Sequence, residues 1–204
     1  MKTIKIISGS LALMFISILV AYGQQSSAIV EVGIVINGVK WATRNIDTPG
    51  NFVAKPEDVG LLYKSNSKVA WPTKGDLSNW DTTEPDGGVW EKSNDPSPHG
   101  WRVPTPNELE SLLDKENVNR SHAVVNGVGG YRFTDKATGK SIFMPYTPYR
   151  TCSDGKLYDV KTSGRIGYYW SSKIGRKMEF FESGFTMMSN TYSGHGMCIR
   201  PVAQ

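Results

Sequence analysis

At 204 residues the chain has room for a single domain with its own core. Hydrophobic residues at 39% and aromatics at 11% exclude a disordered polymer, and no block of like charges marks it as a nucleic-acid binder. The 21 glycines and 11 prolines predict short elements separated by many turns.

The chain opens with a positive pentapeptide containing Lys2 and Lys5, followed by an apolar run over 6–20 and small residues Ala21 and Gly23 around Tyr22. That order predicts a secretory signal peptide over 1–23, cut before Gln24. A membrane anchor would need about 20 unbroken apolar residues; Ser8, Gly9 and Ser10 interrupt this run. Export is therefore expected, to the periplasm, cell surface or medium, with no membrane span after cleavage. Without Lys2 and Lys5 the balance is 21 basic to 19 acidic residues, a net charge of +2.

Residues 24–32 read as a polar tether and strand start, and 33–204 as one domain. Strands over 29–36 and 39–42 meet at Asn37-Gly38, a strong two-residue hairpin signal. Ile34, Ile36 and Trp41 are the expected inward positions. Residues 51–99 hold a possible strand at 59–63 and otherwise few regular elements. Trp71, Trp80 and Trp90 predict that this long loop is ordered by its own side chains.

The chain is organised around residues 100–113. Val103-Pro104 must be extended, Thr105 is a natural N-cap, Pro106 suits the first helical position, and Glu108 can reach back to the Thr105 amide. Leu109, Leu112 and Leu113 form one apolar stripe, with Trp101 expected beneath it. Residues 117–130 read as a turn-rich link, and 131–133 with 141–144 as a hairpin. Pro145 and Pro148 hold Tyr146 and Tyr149 extended. Four closing strands are expected over 167–172, 177–182, 185–189 and 197–202.

The two cysteines, Cys152 and Cys198, suit either a disulfide or two separately buried thiols. An unstrained bridge would add roughly 4 kcal/mol.

Four ordered blocks, 36–45, 94–105, 167–172 and 199–202, carry a resemblance. They contain Asn37-Gly38-Val39-Lys40-Trp41, His99-Gly100-Trp101-Arg102-Val103-Pro104, Gly167-Tyr168-Tyr169-Trp170 and Ile199-Arg200-Pro201-Val202. In these the chain resembles the Fibrobacter succinogenes major paralogous domain family, particularly its gut-bacterial members. The resemblance implies an α+β, C-type lectin-like fold: small antiparallel sheets, one or two helices, long loops, and paired first and last strands. Trp41, Trp101, Thr105, Glu108, Trp170 and Arg200 are the structural anchors expected within those blocks. Where many relatives carry a cysteine, this chain has Ser97, so that disulfide option is lost.

Chemistry of a catalytic kind is sparse. Glu84-Pro85-Asp86 superficially resembles a calcium-lectin motif but precedes the helix, and Trp170-Ser171-Ser172 offers no carboxylate, so no metal site is expected. The histidines lack zinc spacing, no phosphate or dinucleotide loop is present, and no cofactor is expected. Formylglycine-generating enzymes, which share the implied fold, use paired reactive cysteines near the C-terminus; Cys198 has no such neighbour. Strand periodicity assigns Met178, Phe180 and Met187 inward and leaves Tyr169, Arg176, Asn190, Tyr192 and His195 as the expected ligand-binding residues. The expected function is a non-catalytic binding module for a glycan or protein at the cell surface. A structural or adhesin subunit of a surface appendage is the alternative, and a formylglycine-generating-like cysteine enzyme the least favoured reading.

Overall fold

The computed structural model describes residues 31–160, 164–184 and 186–204. The signal-peptide reading of 1–23, most of the tether and Phe185 fall outside the described residues.

The Asn37-Gly38 hairpin forms as its sequence dictates. Both residues take positive φ (47° and 80°), and strands β1 (Ile34–Ile36) and β2 (Val39–Trp41) pair with Ile34 opposite Trp41. The turn is also an anchor: the Asn37 amide donates to Asp135 Oδ2 (2.8 Å) and its Nδ2 to the Ser111 carbonyl (3.0 Å).

Next come β3 (Leu62–Tyr63) and β4 (Ala70–Trp71), a small ribbon inside the long loop, and β5 (Trp101–Arg102). The loop is ordered from beneath. Arg150, fully buried, donates to the carbonyls of Pro72 (2.9 Å), Lys74 (3.1 Å) and Gly75 (2.8 Å), which satisfies backbone groups a disordered loop would leave to water.

Helix α1 (Pro106–Ser111) begins as its cap requires. Glu108 N–H donates to Thr105 Oγ1 (3.3 Å), and Glu108 Oε2 accepts from the Thr105 amide (2.7 Å). It ends after six residues because Asp114 draws the backbone elsewhere: its carboxylate accepts from the Glu116 amide (2.9 Å) and Asn117 Nδ2 (2.7 Å). Leu109 and Leu112 are fully buried; Trp101 packs edge-on to Phe52 at 5.7 Å.

The segment expected as a link is instead the first strand of a meander, β6 (Val118–Val125), β7 (Val128–Asp135) and β8 (Ser141–Pro145). Asn126-Gly127 supplies a second positive-φ turn between β6 and β7. A small ribbon follows, β9 (Tyr149–Arg150) with β10 (Leu157–Tyr158), then a three-stranded sheet of β11 (Ile166–Trp170), β12 (Arg176–Phe181) and β13 (Thr186–Asn190). The last strand, β14 (Val202–Ala203), lies between β2 and β5, with Val202 opposite both Trp41 and Arg102. Residues 197–201, expected as one strand with 202, are held by single bridges: Met197 to Tyr63 and Cys198 to Tyr169.

The expected α+β class is corrected by this inventory. Strand outweighs helix 36% to 6%, and α1 is the one α-helix that lies wholly within the described residues. The protein is a β-rich assembly of small antiparallel sheets. The Asx turn at Asp114 and the glycine-punctuated strands that follow explain why helix does not propagate. No helix among the described residues is long and apolar enough to cross a membrane.

Two hydrophobic clusters fill the molecule, and the β11–β13 sheet separates them. Tyr169, Met178 and Phe180 face the larger cluster with Ile36, Trp41, Leu109 and Phe133. Trp170 faces the other with Ile46, Tyr63, Trp90, Val103, Met197 and Ile199, and its indole donates to the Tyr63 carbonyl (2.7 Å). Arg200 is buried beside them, donating to Asn45 Oδ1 (2.8 Å) and the Ala42 carbonyl (3.2 Å). Burial pushes its guanidinium below the usual arginine range.

Candidate functional site

The doublet Tyr168-Tyr169 decides where a ligand can meet the β11 strand. Successive side chains on a strand point to opposite faces. Tyr169 pairs with Met178 and is fully buried, its hydroxyl donating to the Pro145 carbonyl (2.8 Å). The expectation that Tyr169 binds ligand is therefore corrected: the register is one residue away, and Tyr168 is the ring that emerges.

Around Tyr168 the structure gathers a continuous set of rings. Tyr149 on β9 lies 5.1 Å from Tyr168, edge to face, and stacks on Tyr158 of β10 at 5.1 Å and 14°. His195 meets Tyr149 at 5.5 Å, and Tyr192 meets His195 at 5.7 Å. Tyr158 is 38% exposed and Tyr192 68%, so the cluster is rooted in the second core and opens to solvent at both ends.

The polar rim is fixed with equal care. Lys177, opposite Trp170 on β12, stands 5.1 Å over the Tyr168 ring. Its ammonium donates to Glu179 Oε2 (2.6 Å) and Ser189 Oγ (2.8 Å). Burial lowers the Lys177 pKa, against the pull of Glu179. Tyr168 is pushed up to about 12, first by burial and then by Glu179 and Tyr149, so its hydroxyl stays protonated. Lys156 covers the outer Tyr158 ring at 5.9 Å.

Beneath Tyr192, Glu84 closes the 193–194 turn. It accepts from Ser193 Oγ (2.5 Å) and the Gly194 amide (2.6 Å), so Glu84 is a clamp on this turn as well as a solvated residue. The buried Lys64 ammonium, donating to the Asp81 carbonyl (2.8 Å) and to that of Thr83, holds the approach to Glu84. His195 Nδ1 accepts from the Cys152 amide (3.0 Å) and lies 3.2 Å from the Arg150 carbonyl. Burial lowers the His195 pKa, with the Arg150 carbonyl and Glu84 opposing, which favours the neutral ring.

The five expected ligand-binding residues thus separate. Tyr192 and His195 belong to the tyrosine face. Arg176 and Asn190, opposite each other at the start of β12 and end of β13, share the parity of Met178 and Phe180 and so lie on the other side of the sheet from Lys177 and Ser189. There Arg176 sits 3.6 Å from Glu110 of α1 and 3.2 Å from Asn190 Oδ1. Tyr149, Tyr158, Tyr168 and Lys177 are the residues the sequence reading missed. The one local signal nearby was Pro148, which biases Thr147 to extended backbone and so argues against helix just ahead of Tyr149.

Both cysteines are free thiols in this structure, so of the two alternatives left open the bridge is not formed. Cys198 is fully buried with its Sγ 3.4 Å from the Val59 carbonyl, and burial pushes its thiol far up. Cys152 sits beside Glu84, at the edge of the tyrosine face; burial and then the Glu84 carboxylate raise its pKa, so the thiol is not a poised thiolate. Among the described residues no group of three or more His, Cys, Asp or Glu side chains is arranged to hold a metal ion.

Comparison with protein-family models, curated proteins and solved structures found no match. The geometry of the tyrosine face is therefore the ground on which function is argued.

Proposed function

We propose that this chain is an exported, non-catalytic binding module that recognises a glycan or protein through the Tyr149–Tyr158–Tyr168–His195–Tyr192 face. One observation carries the reading: rings anchored in a core, in mutual stacked and edge-on contact, and exposed at Tyr158 and Tyr192. Such rings present large contact area with little rotamer freedom left to lose, and a rim of Lys156, Lys177 and Ser189 adds hydrogen bonds and charge. The four blocks resembling the Fibrobacter succinogenes major paralogous domain family and the signal-like N-terminus support the same reading.

Purified residues 24–204 should retain glycans or a protein ligand on an array. Tyr158→Ala and Tyr192→Ala should each weaken binding by about fivefold to tenfold, as exposed aromatic anchors do. Hydrolase or oxidase turnover with no retained ligand would overturn the proposal.

A further inference from the structure

Among the described residues the longest open sheet edge is β6. Its eight residues pair with β7 on one side only, and every other strand at the rim of a sheet has five residues or fewer. The two-residue Asn126-Gly127 turn makes Val125 and Val128 a hydrogen-bonded pair. Alternation then gives the backbone of Asn119, Ser121 and Ala123 to β7 and turns the N–H and C=O of Arg120, His122 and Val124 outward. The flanking bonds agree: the Asn117 carbonyl accepts from Lys136 on the β7 side, while the Val118 amide turns away to the Asp114 carbonyl (2.9 Å). None of the six outward groups of Arg120, His122 and Val124 has a hydrogen-bond partner among the described residues.

Long edges are ordinarily blunted by lysine, proline, a bulge or a covering element. Here the pairing with β7 runs one-to-one from Val118 to Val125, and the strand holds no lysine and no proline. Its one charge, Arg120, is drawn to Thr186 Oγ1 and leaves the edge backbone open. Ser121 and His122 are exposed, and Val124 is 62% exposed.

Another extended strand is what offers N–H and C=O groups at this spacing. A second β6, reversed about His122, sets His122 against His122 and Arg120 against Val124 in hydrogen-bonded pairs, so all six outward groups of each strand are satisfied and no like charges meet. The side chains of Arg120, His122 and Val124 share one face. On that face His122 and Val124 line a recess of about 450 Å³ together with Val59, Tyr146, Asp159 and Arg165. Arg165 is paired with Glu182, and Asp159 is the acid of the recess. The second copy's Arg120, opposite Val124, brings a cation to that mouth and lays its aliphatic stem over the exposed valine. We propose that two copies of this chain associate through β6, antiparallel and centred on His122, into one sheet ordered β8-β7-β6-β6-β7-β8. A strand of about 27 Å meeting its copy along one edge falls short of the roughly 1,200 Å² of a stable interface, so the dimer is weak and depends on concentration.

The test is sedimentation of the purified chain over a range of concentrations, with amide exchange read residue by residue. A reversible monomer–dimer equilibrium is expected. The amides of Arg120, His122 and Val124 should exchange more slowly as concentration rises, while those of Ser121 and Ala123, already bonded to β7, should not change. Val124→Lys sets two cations opposite each other, and Arg120→Glu brings an acid to the recess of Asp159; each should weaken association about fivefold. The double variant Arg120→Glu/Val124→Lys sets opposite charges together and should recover most of that loss. Positions 120 and 124 are about 14 Å apart along one strand, so such recovery arises between copies. A monomer at every concentration would overturn the proposal. So would a dimer whose three outward amides stay unprotected, or a double variant weaker than either single one. The exchange measurement on the unaltered chain holds whether or not a variant folds.

Discussion

Replacing Glu108 by Gln isolates the charge at the hinge between β5 and α1. The carboxylate accepts from Arg102 twice (2.8 and 2.5 Å), from the Thr105 amide (2.7 Å) and from Thr105 Oγ1 (2.9 Å). Gln keeps the shape and one acceptor oxygen, so the loss is chiefly the charge-assisted part. Bonds to charged groups contribute about 1.5–3 kcal/mol when well shielded. The Arg102 side chain is 35% exposed, so solvent screening brings the expected loss to about 1–2 kcal/mol at pH 7. For a chain of this size that lowers Tm by about 3–6 °C. Burial alone would raise the Glu108 pKa, but the Arg102 and Thr105 hydrogen bonds and the Arg102 charge outweigh it and hold the carboxyl below its ordinary value. The stabilisation is thus complete above the ordinary glutamate range and is lost as pH falls through the lower folded value. Urea unfolding of both proteins at pH 7 and at pH 3 checks this: the gap should be open at the first and nearly closed at the second. A gap of the same size at both pH values would refute the electrostatic account and assign the effect to packing.

Three further outcomes are expected. Gly167→Ala places a Cβ 2.1 Å from the Phe180 ring, which is hemmed in by the rings of Tyr131, Phe133, Tyr146 and Tyr169 and cannot yield, so thermal melts should show a loss of about 1–3 kcal/mol. Thiol titration should find Cys152 slow and Cys198 silent in the native protein, with both reacting in denaturant; rapid native labelling of Cys198 would refute its burial. Because the His195 pKa is lowered on folding, its neutral ring stabilises the protein above the unfolded histidine value of about 6.5, and that contribution is lost as pH falls towards the folded value. His195→Gln should flatten this part of the stability profile measured by urea unfolding between pH 7.5 and pH 5.

The parts of the fold that were legible are those encoded by neighbouring residues. Thr105, Pro106 and Glu108 specify a helix start through bonds spanning three residues, and Asn37-Gly38 specifies a turn through two φ angles. Strand β6 was not legible because Asn119, Arg120, Ser121 and His122 are polar in succession; they form an outer strand whose pairing with β7 comes from the Asn126-Gly127 turn and the Tyr131 and Phe133 face behind it. The site failed to emerge for a related reason. Tyr168, Tyr169 and Trp170 are all large and aromatic, so alternation carries no contrast, and only the partners across the sheet show that Tyr169 is inside. Tyr149 and Tyr158 reach Tyr168 through tertiary packing that no local spacing announces.

The seat of β14 has a temporal consequence. Two residues near position 200 occupy the interior of a sheet whose other members lie among positions 34–41 and 101–102. Until Val202 and Ala203 leave the ribosome, β2 and β5 have no common neighbour, and the earlier strands must wait with open edges. A polypeptide of this design can complete that sheet only once its final strand is in hand.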